Sequence, residues 1–213
     1  MSTAIWPLFG LGVSGPRLSL RYLDDDLGAQ LAELAAHGIH DPSTMPFSEP
    51  WTDVEPPELQ RNSLRYFWRC RAETTTESWH LNMAVLEHGD VVGVCAVDAQ
   101  QFGATRTATT GSWLGRRFQG RGLGREMRQM ALHLVFAGLD GRCARTRAWH
   151  DNVASLGVTR SLPYTEDGIT TEKRRDTDDT MLSFSMTRER WETVRCNDID
   201  IRGLKAVREF LGI

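Results

Sequence analysis

The chain of 213 residues lacks any long apolar run: its most apolar opening stretch, Ala4 to Val13, is short and broken by Pro7 and two glycines. A membrane span needs about 20 mostly apolar residues, and a secretory leader needs a basic stretch ahead of its apolar one. The expectation is a cytoplasmic protein with no membrane partner. Cysteine is sparse too. Cys70, Cys95, Cys143 and Cys196 are widely spaced without a Cys-x-x-Cys pair, so no zinc or redox signature is present and reduced, mostly buried thiols are expected. His133 and His150 have no His-x-x-x-His partner, and no metal is expected. An excess of basic charge is also missing. The formal charge is −3 and the pI about 6.1, against the strongly basic balance of general nucleic-acid binders, so any phosphate chemistry is local. There is no internal repeat, low-complexity tract or linker, and association of the chain with itself is left open.

What is present suits one compact domain over 1–213, with 40% hydrophobic residues to furnish a core. Leu18 to Tyr22 reads as a short strand. Asp24 to Asp26 can cap a helix whose Leu27, Leu31, Leu34 and Ala35 share one face, and Gly38 fits its end. Asp41 to Pro57 holds five prolines with Phe47 and Trp51, a turn-rich segment that can line a pocket. Glu58 to about Arg71 is helical. Trp79 to Leu86 and Val91 to Val97 are strands joined by a hairpin connection, and Thr105 to Leu114 is the next. From Leu123 a helix buries Met127, Met130, Ala131, Leu134 and Val135. A strand at Arg142 to His150, a short helix at Ala154 to Leu162 and strands near Thr170 and Met181 to Met186 follow, with the charged stretch Glu172 to Asp179 between the last two. The tail from Arg188 ends in a short helix. The order gives an α/β or α+β domain with a mixed central sheet flanked by helices.

The sharpest feature is Trp113 to Arg125, where a strand end meets a glycine- and arginine-rich turn that opens a helix. Gly120, Gly122 and Gly124 let the backbone take positive φ and come close to a ligand. Amide N–H groups can then converge on phosphate oxygens at the positive end of a helix dipole. Arg116, Arg117, Arg121 and Arg125 add charge. A triphosphate-binding Walker loop would need a Lys after its last glycine, and a dinucleotide fingerprint would need Gly-x-Gly-x-x-Gly after the first strand of a βαβ unit; neither is met.

Gln119-x-x-Gly122-x-Gly124 resembles the pyrophosphate loop of the GNAT acyltransferase superfamily. The likeness continues through Asn152-x-x-Ser155, Val158 and Leu162-Pro163-Tyr164, which resembles the Asn-x-x-Ser…Val…Leu-Gly-Phe run of the RimJ/RimL-like branch, with Pro163 and Tyr164 in place of Gly and Phe. It covers roughly 79–186, and Arg17 to Arg21 is similar to that branch's opening strand. The segment from Gly38 through Phe47 to Thr52 resembles an actinobacterial subgroup in which succinyl transfer is one assigned activity.

The resemblance implies a mostly antiparallel sheet of about seven strands, splayed between the fourth and fifth, with the cofactor between them and the tail 188–213 packed on the core. It implies transfer of an acyl group from acyl-CoA, acetyl-CoA by default and succinyl-CoA as the other donor, to an amine: a protein amino terminus, a lysine or a small amine. Gln119, Gly120, Arg121, Gly122, Leu123, Gly124 and Arg125 would hold the pyrophosphate. Trp113 and Leu114 would pair with the pantetheine arm as an open strand edge does. Asn152 would bind the arm or order the loop. Ser155 would donate to the departing sulfur, since the Tyr that many members place seven residues beyond the Asn is Thr159 here.

Phe47 and Trp51 are candidates for acceptor binding, although either, like Trp68, also reads as an ordinary core aromatic. Glu49, Asp53, His80, Glu87 and Asp98 are candidates for the base that takes the amine's proton. Ser155 reads equally as a helix cap. The run Glu172 to Asp176 reads as a solvated turn, with Arg174 or Arg175 as a minority choice for reading an anion. A noncatalytic acyl-CoA sensor is the alternative to the enzyme.

Overall fold

Apolar runs buried on both faces form the middle of a single sheet, and the computed structural model, which describes residues 2–213, places nine strands in it. In chain order the elements are β1 (Gly12–Ser14), β2 (Leu18–Tyr22), α1 (Asp25–Ala36), α2 (Glu58–Glu73), β3 (Ser78–Glu87), β4 (Asp90–Gln100), the single turn α3 (Phe102–Thr105) and β5 (Thr107–Leu114). There follow α4 (Leu123–His133), β6 (Cys143–Trp149), α5 (Val153–Arg160), β7 (Thr165–Arg174), β8 (Thr177–Thr187), α6 (Arg188–Glu192), β9 (Asp200–Arg202) and α7 (Leu204–Leu211). The sheet order is β7-β8-β6-β5-β4-β3-β2-β1-β9, with β5 and β6 the one parallel pair among the described residues. The expected α/β class and mostly antiparallel sheet are present. β2 to β8 supply the seven anticipated strands, and the three-residue β1 and β9 extend one edge.

The β3–β4 hairpin turns on His88 and Gly89, both at positive φ (53° and 96°), the conformation whose twist suits a two-residue connection. The period of two along these strands then serves two layers. Leu81, Met83 and Val85 face Leu123, Met127 and Met130 of α4, in one core that also takes Trp191 and α7's Val207 and Leu211. Ala84, Leu86 and Val94 meet Leu27, Leu31 and Leu34 of α1 and Phe67 of α2 in a second core. Asn82, Ala96 and Asp98 continue that second face toward the other strand ends, where the apolar stripe gives way to polar groups.

β5 and β6 pair only over Thr107↔Cys143, Ala108↔Ala144 and Thr109↔Arg145, although β5 runs on to Leu114 and β6 to Trp149. Beyond Thr109 the ladder passes to side chains: Thr110 Oγ1 donates to the Arg145 carbonyl (3.2 Å) and Thr146 Oγ1 to the Thr110 carbonyl (3.1 Å). Past these two hydroxyls the strands part.

Several expectations are corrected. Thr105 belongs to α3, so β5 starts at Thr107. The charged stretch Glu172 to Asp179 is not a loop. β7 and β8 run through it, leaving only Arg175 and Asp176 as the turn: Lys173 and Asp178 form a cross-strand ion pair, while the opposed acids Glu172 and Asp179 are neutralised by Arg147 and Arg174. Phe47, Trp51 and Trp68 are not core aromatics. Trp68 is 49% exposed, donating its indole N–H to Asp25 at 3.2 Å, while Phe47 and Trp51 are half-buried and pack on the edge of a small core of Ala35, Ile39 and Leu59 rather than inside one.

Candidate active site

Two clefts meet where β5 leaves β6. The first, about 600 Å³, lies in the gap between the strands and is lined by Ser112 to Leu114, Gln119, Gly124, Arg128, Asn152 and Ser155. The second, about 920 Å³, lies on the α1/α2 face and is lined by Glu49, Trp51, Tyr66, Asn82, Asp98 and Trp113. Phe47 and Gly111 to Trp113 border both.

The backbone of β5 is available to the first cleft for a reason of register. Gly115 N–H donates to the Val92 carbonyl (2.9 Å), so, counting back in twos along an antiparallel ladder, Trp113 and Gly111 also point their backbone groups at β4. Ser112 and Leu114 therefore turn theirs toward the gap. Gly115 N–H is thus committed to β4, and Ser112 and Leu114 N–H are the donors of this strand end that face the opening. The Leu114 carbonyl accepts from Gln119 Nε2 (2.8 Å), which also donates to the Ile39 carbonyl (2.6 Å). Gln119 thus ties the turn to β5 and to the segment after α1.

Gly120 and Gly122 have φ of +72° and +79°. Gly122 is the N-cap of α4 without a side-chain cap bond, so the opening N–H groups of α4, those of Leu123, Gly124 and Arg125, project without intrahelical partners. A Cβ on Gly124 would meet Val158 Cγ2 at 3.1 Å, so this glycine also lets α5 approach α4. Arg121 is held by Glu87 (2.9 Å) and Arg17 by Glu126 (2.8 Å). Arg117 and Arg125 are exposed and make no ion pair among the described residues.

On the other wall, Asn152 Oδ1 accepts the Ser155 N–H (3.1 Å) and caps α5. Ser155 is therefore not the cap. It is half-buried in the third helical position, and its hydroxyl makes no hydrogen bond among the described residues while it lines the first cleft.

The proline-rich segment roofs both clefts and is pinned from several sides. Trp149 Nε1 donates to the Phe47 carbonyl (3.1 Å), Arg174 Nε to the Met45 carbonyl (2.7 Å), and Arg175 binds Asp53 through two nitrogens (2.7 and 2.8 Å). Arg174 further pairs with Asp151 and Asp179 (both 2.8 Å) and lies 5.1 Å over the Trp149 ring. These two arginines, which sequence reading set aside as part of a solvated turn, are the anchors of the roof. The bidentate Arg175 also holds the Asp53 carboxyl below its ordinary range.

The candidate bases separate on position. Asp53 is bound to Arg175, and Glu87 is bound to Arg121 at the far end of β3. Glu49 and Asp98 line the second cleft. His80 lies directly opposite Asp98 in the β3–β4 register, with Nδ1 at 2.8 Å from Oδ1. That bond raises the His80 pKa against partial burial. Tyr66, also on this wall, has its pKa raised by burial and stays protonated. Tyr66 and Asn82 are lining residues that sequence reading missed; nothing local marks them, since α2 and β3 bring them together only in the fold.

A sheet that opens between two parallel strands, with a glycine turn at one end of the gap and a second cleft joining it, defines an acyl-CoA-dependent acyltransferase fold. The acetyltransferase (GNAT) domain family matches residues 17–165, and the chain belongs to that family. It is an acyl-CoA-dependent N-acyltransferase.

Solved structures agree on the fold at low identity. Mycobacterium smegmatis RimJ in complex with CoA-disulfide is 17% identical, with 84% of this chain and 88% of that chain covered and a TM-score of 0.68. The RimL ribosomal L7/L12 alpha-N-protein acetyltransferase in complex with coenzyme A is 19% identical, over 80% and 94% of the two chains, with a TM-score of 0.63. A GNAT-family acetyltransferase from Bacillus anthracis is 12% identical, over 84% and 99%, with a TM-score of 0.66. Among the described residues no helix is long and apolar enough to cross a membrane.

Proposed function

We propose that the chain transfers an acetyl group from acetyl-CoA to an amine by direct attack while both substrates are bound. One observation carries this reading: the two clefts share Gly111, Ser112 and Trp113 as a common wall, so a thioester in the first and an amine in the second can meet without a covalent enzyme intermediate.

In this reading the turn from Gln119 to Arg125 receives the pyrophosphate on the open N–H groups of α4, and Ser112 and Leu114 bond the pantetheine arm as a neighbouring strand would. The arm then delivers the thioester to the junction. The amine approaches past Phe47, Trp51 and Tyr66, and the Asp98–His80 pair takes its proton, directly or through water. The amine nitrogen bonds to the carbonyl carbon, a backbone N–H of the β5 edge receives the developing oxyanion, and the carbon–sulfur bond breaks. Ser155 donates to the leaving thiolate. Asn152 acts by starting α5 and so fixing where Ser155 stands. Residues 1–213 act as one domain, a reading supported by Trp191, Val207 and Leu211 in the core beneath β3 and β4.

Acetyl is favoured over succinyl by charge accounting in the donor cleft. Arg174 is occupied by two aspartates, Arg147 by Glu172 and Arg116 by Asp41 (3.9 Å), which leaves Arg128 as the cleft's one arginine without an ion pair among the described residues, beside the arm rather than at the acyl end. The test is a thiol-release assay with acetyl-CoA and succinyl-CoA against peptides with free amino termini, lysine peptides and small amines. Amine-dependent thiol release, faster with acetyl-CoA, is expected. Tight CoA binding with no turnover on any pair would replace the enzyme reading with that of a sensor.

A further inference from the structure

Arg128 is 4% exposed, on the buried face of α4, yet among the described residues it makes no hydrogen bond and no ion pair, and its Nη1 is buried without a partner. A guanidinium cannot escape by losing its proton, and an uncompensated buried charge is costly. The neighbouring groups do not supply a counter-charge. The Tyr164 ring lies 6.0 Å from the guanidinium carbon, at the limit of a useful cation–π contact, and the Tyr164 hydroxyl is itself buried without a partner. Cys95 is close enough to feel the Arg128 charge, but burial still pushes its thiol up to about 12, so no thiolate faces the arginine.

Arg128 is also part of the wall of the donor cleft. Gly124, Met127 and Arg128 all line it, the i, i+3 and i+4 face of α4. Arg128 lies one helical turn, about 6 Å, beyond Gly124. It therefore stands past the glycine turn and alongside the gap leading to Gly111 and Ser112, where an extended arm rather than the diphosphate runs.

We infer that Arg128 is a cofactor-positioning residue whose missing partner is an amide carbonyl of the pantetheine arm. This rests on the assignment of the first cleft to acyl-CoA. The carbonyl oxygen accepts from the guanidinium, which fixes the arm's depth and with it the position of the thioester at Ser112. The apo protein bears the cost of an unpaired cation, and the bound arm removes it.

The experiment compares wild type with Arg128→Met and Arg128→Lys, titrating coenzyme A and, separately, its nucleotide half without the arm, alongside melting of the ligand-free proteins. For Arg128→Met the affinity for coenzyme A is expected to fall about tenfold or more, as for loss of a hydrogen bond to a charged group, while affinity for the nucleotide half stays unchanged. Its ligand-free Tm should equal or exceed that of wild type. Arg128→Lys, which keeps stem and charge but not the planar fork, should show the same split between coenzyme A and its nucleotide half.

Equal loss for both ligands, unchanged coenzyme A affinity, or a lower ligand-free Tm for Arg128→Met would each overturn the inference. So would a loss confined to succinyl-CoA with free coenzyme A unaffected, which would place an acyl carboxylate on Arg128 instead. Failure of the wild type to bind coenzyme A would overturn the cleft assignment itself, a result distinct from any variant effect.

Discussion

Asn152 Oδ1 accepts the Ser155 N–H at 3.1 Å, and this one bond both starts α5 and leaves the Ser155 hydroxyl free on the wall of the donor cleft. A residue that positions and a residue that donates are thus separated by a single helical turn. Ser155→Ala should lower kcat about tenfold with little change in KM for acetyl-CoA, since a hydrogen bond to a forming thiolate exists mainly in the transition state. Steady-state kinetics with acetyl-CoA varied would show it. Equal turnover by the variant would reduce Ser155 to a helical residue without chemistry.

Removing the cap itself should read differently. Asn152→Ala is expected to cost about 1 kcal/mol of stability through the uncapped N–H. It should also lower kcat by displacing Ser155. Urea unfolding and kinetics on the same preparation would separate the two effects, and a loss of stability with full activity would mean that Ser155 does not depend on its cap.

The glycine turn gives a binding prediction. Gly122 is at φ +79°, a conformation costly for a branched side chain, and a Cβ at Gly124 comes to 3.1 Å from Val158 Cγ2. Gly122→Val and Gly124→Val should weaken coenzyme A binding about tenfold or more by distorting or blocking the anion site, with the far-ultraviolet spectrum retained. Calorimetry that returns wild-type affinity for both would remove the turn from the donor site.

His80 provides a pH test whose sign is fixed by its partner. Asp98 raises the His80 pKa, so the pair's contribution to stability is full below the ordinary histidine value of about 6.5 and is lost as pH rises through the higher folded value. Asp98→Asn should therefore cost more stability at about pH 5 than at about pH 9. If the neutral imidazole takes the proton, the rise of kcat with pH should also shift to lower pH in this variant, measured with the same amine. A profile with an unmoved midpoint would take His80 out of the proton path.

The roof of the clefts hangs on Arg174. Arg174→Ala leaves Asp151 and Asp179 without their shared cation and frees the Met45 carbonyl. About 2 kcal/mol of stability should be lost, a figure held down because Asp151 is solvated. Proteolysis between Asp41 and Pro57 should accelerate. A protease-resistant variant would show that Trp149 and Arg175 suffice to hold the segment.

The parts legible in the sequence are those coded locally. Three glycines within five residues announce the turn, and the i, i+3, i+4 stripe of α4 announces its buried face. Asn152 and Ser155 are visible because cap and helix are neighbours in the chain. The second cleft is legible only in part: Phe47, Glu49, Trp51 and Asp98 can be named from the sequence, but Tyr66 and Asn82 join them only through α2 and β3, and only the register of β3 with β4 aligns His80 with Asp98. Arg174 and Arg175 sit in a charge run, and such runs usually face solvent, whereas a hairpin can carry one to another segment. Arg128 escaped notice for the same reason, as an arginine on an amphipathic helix ordinarily faces water.

The central claim is that donor and acceptor clefts meet at Gly111 to Trp113 and that the acyl group passes between them directly. Initial-rate kinetics test it most simply, with acetyl-CoA varied at several fixed concentrations of an amine that supports thiol release. Intersecting double-reciprocal lines, with no thiol released before the amine is added, are predicted. Parallel lines with a stoichiometric burst of thiol in the absence of amine would reveal an acyl-enzyme and contradict direct transfer.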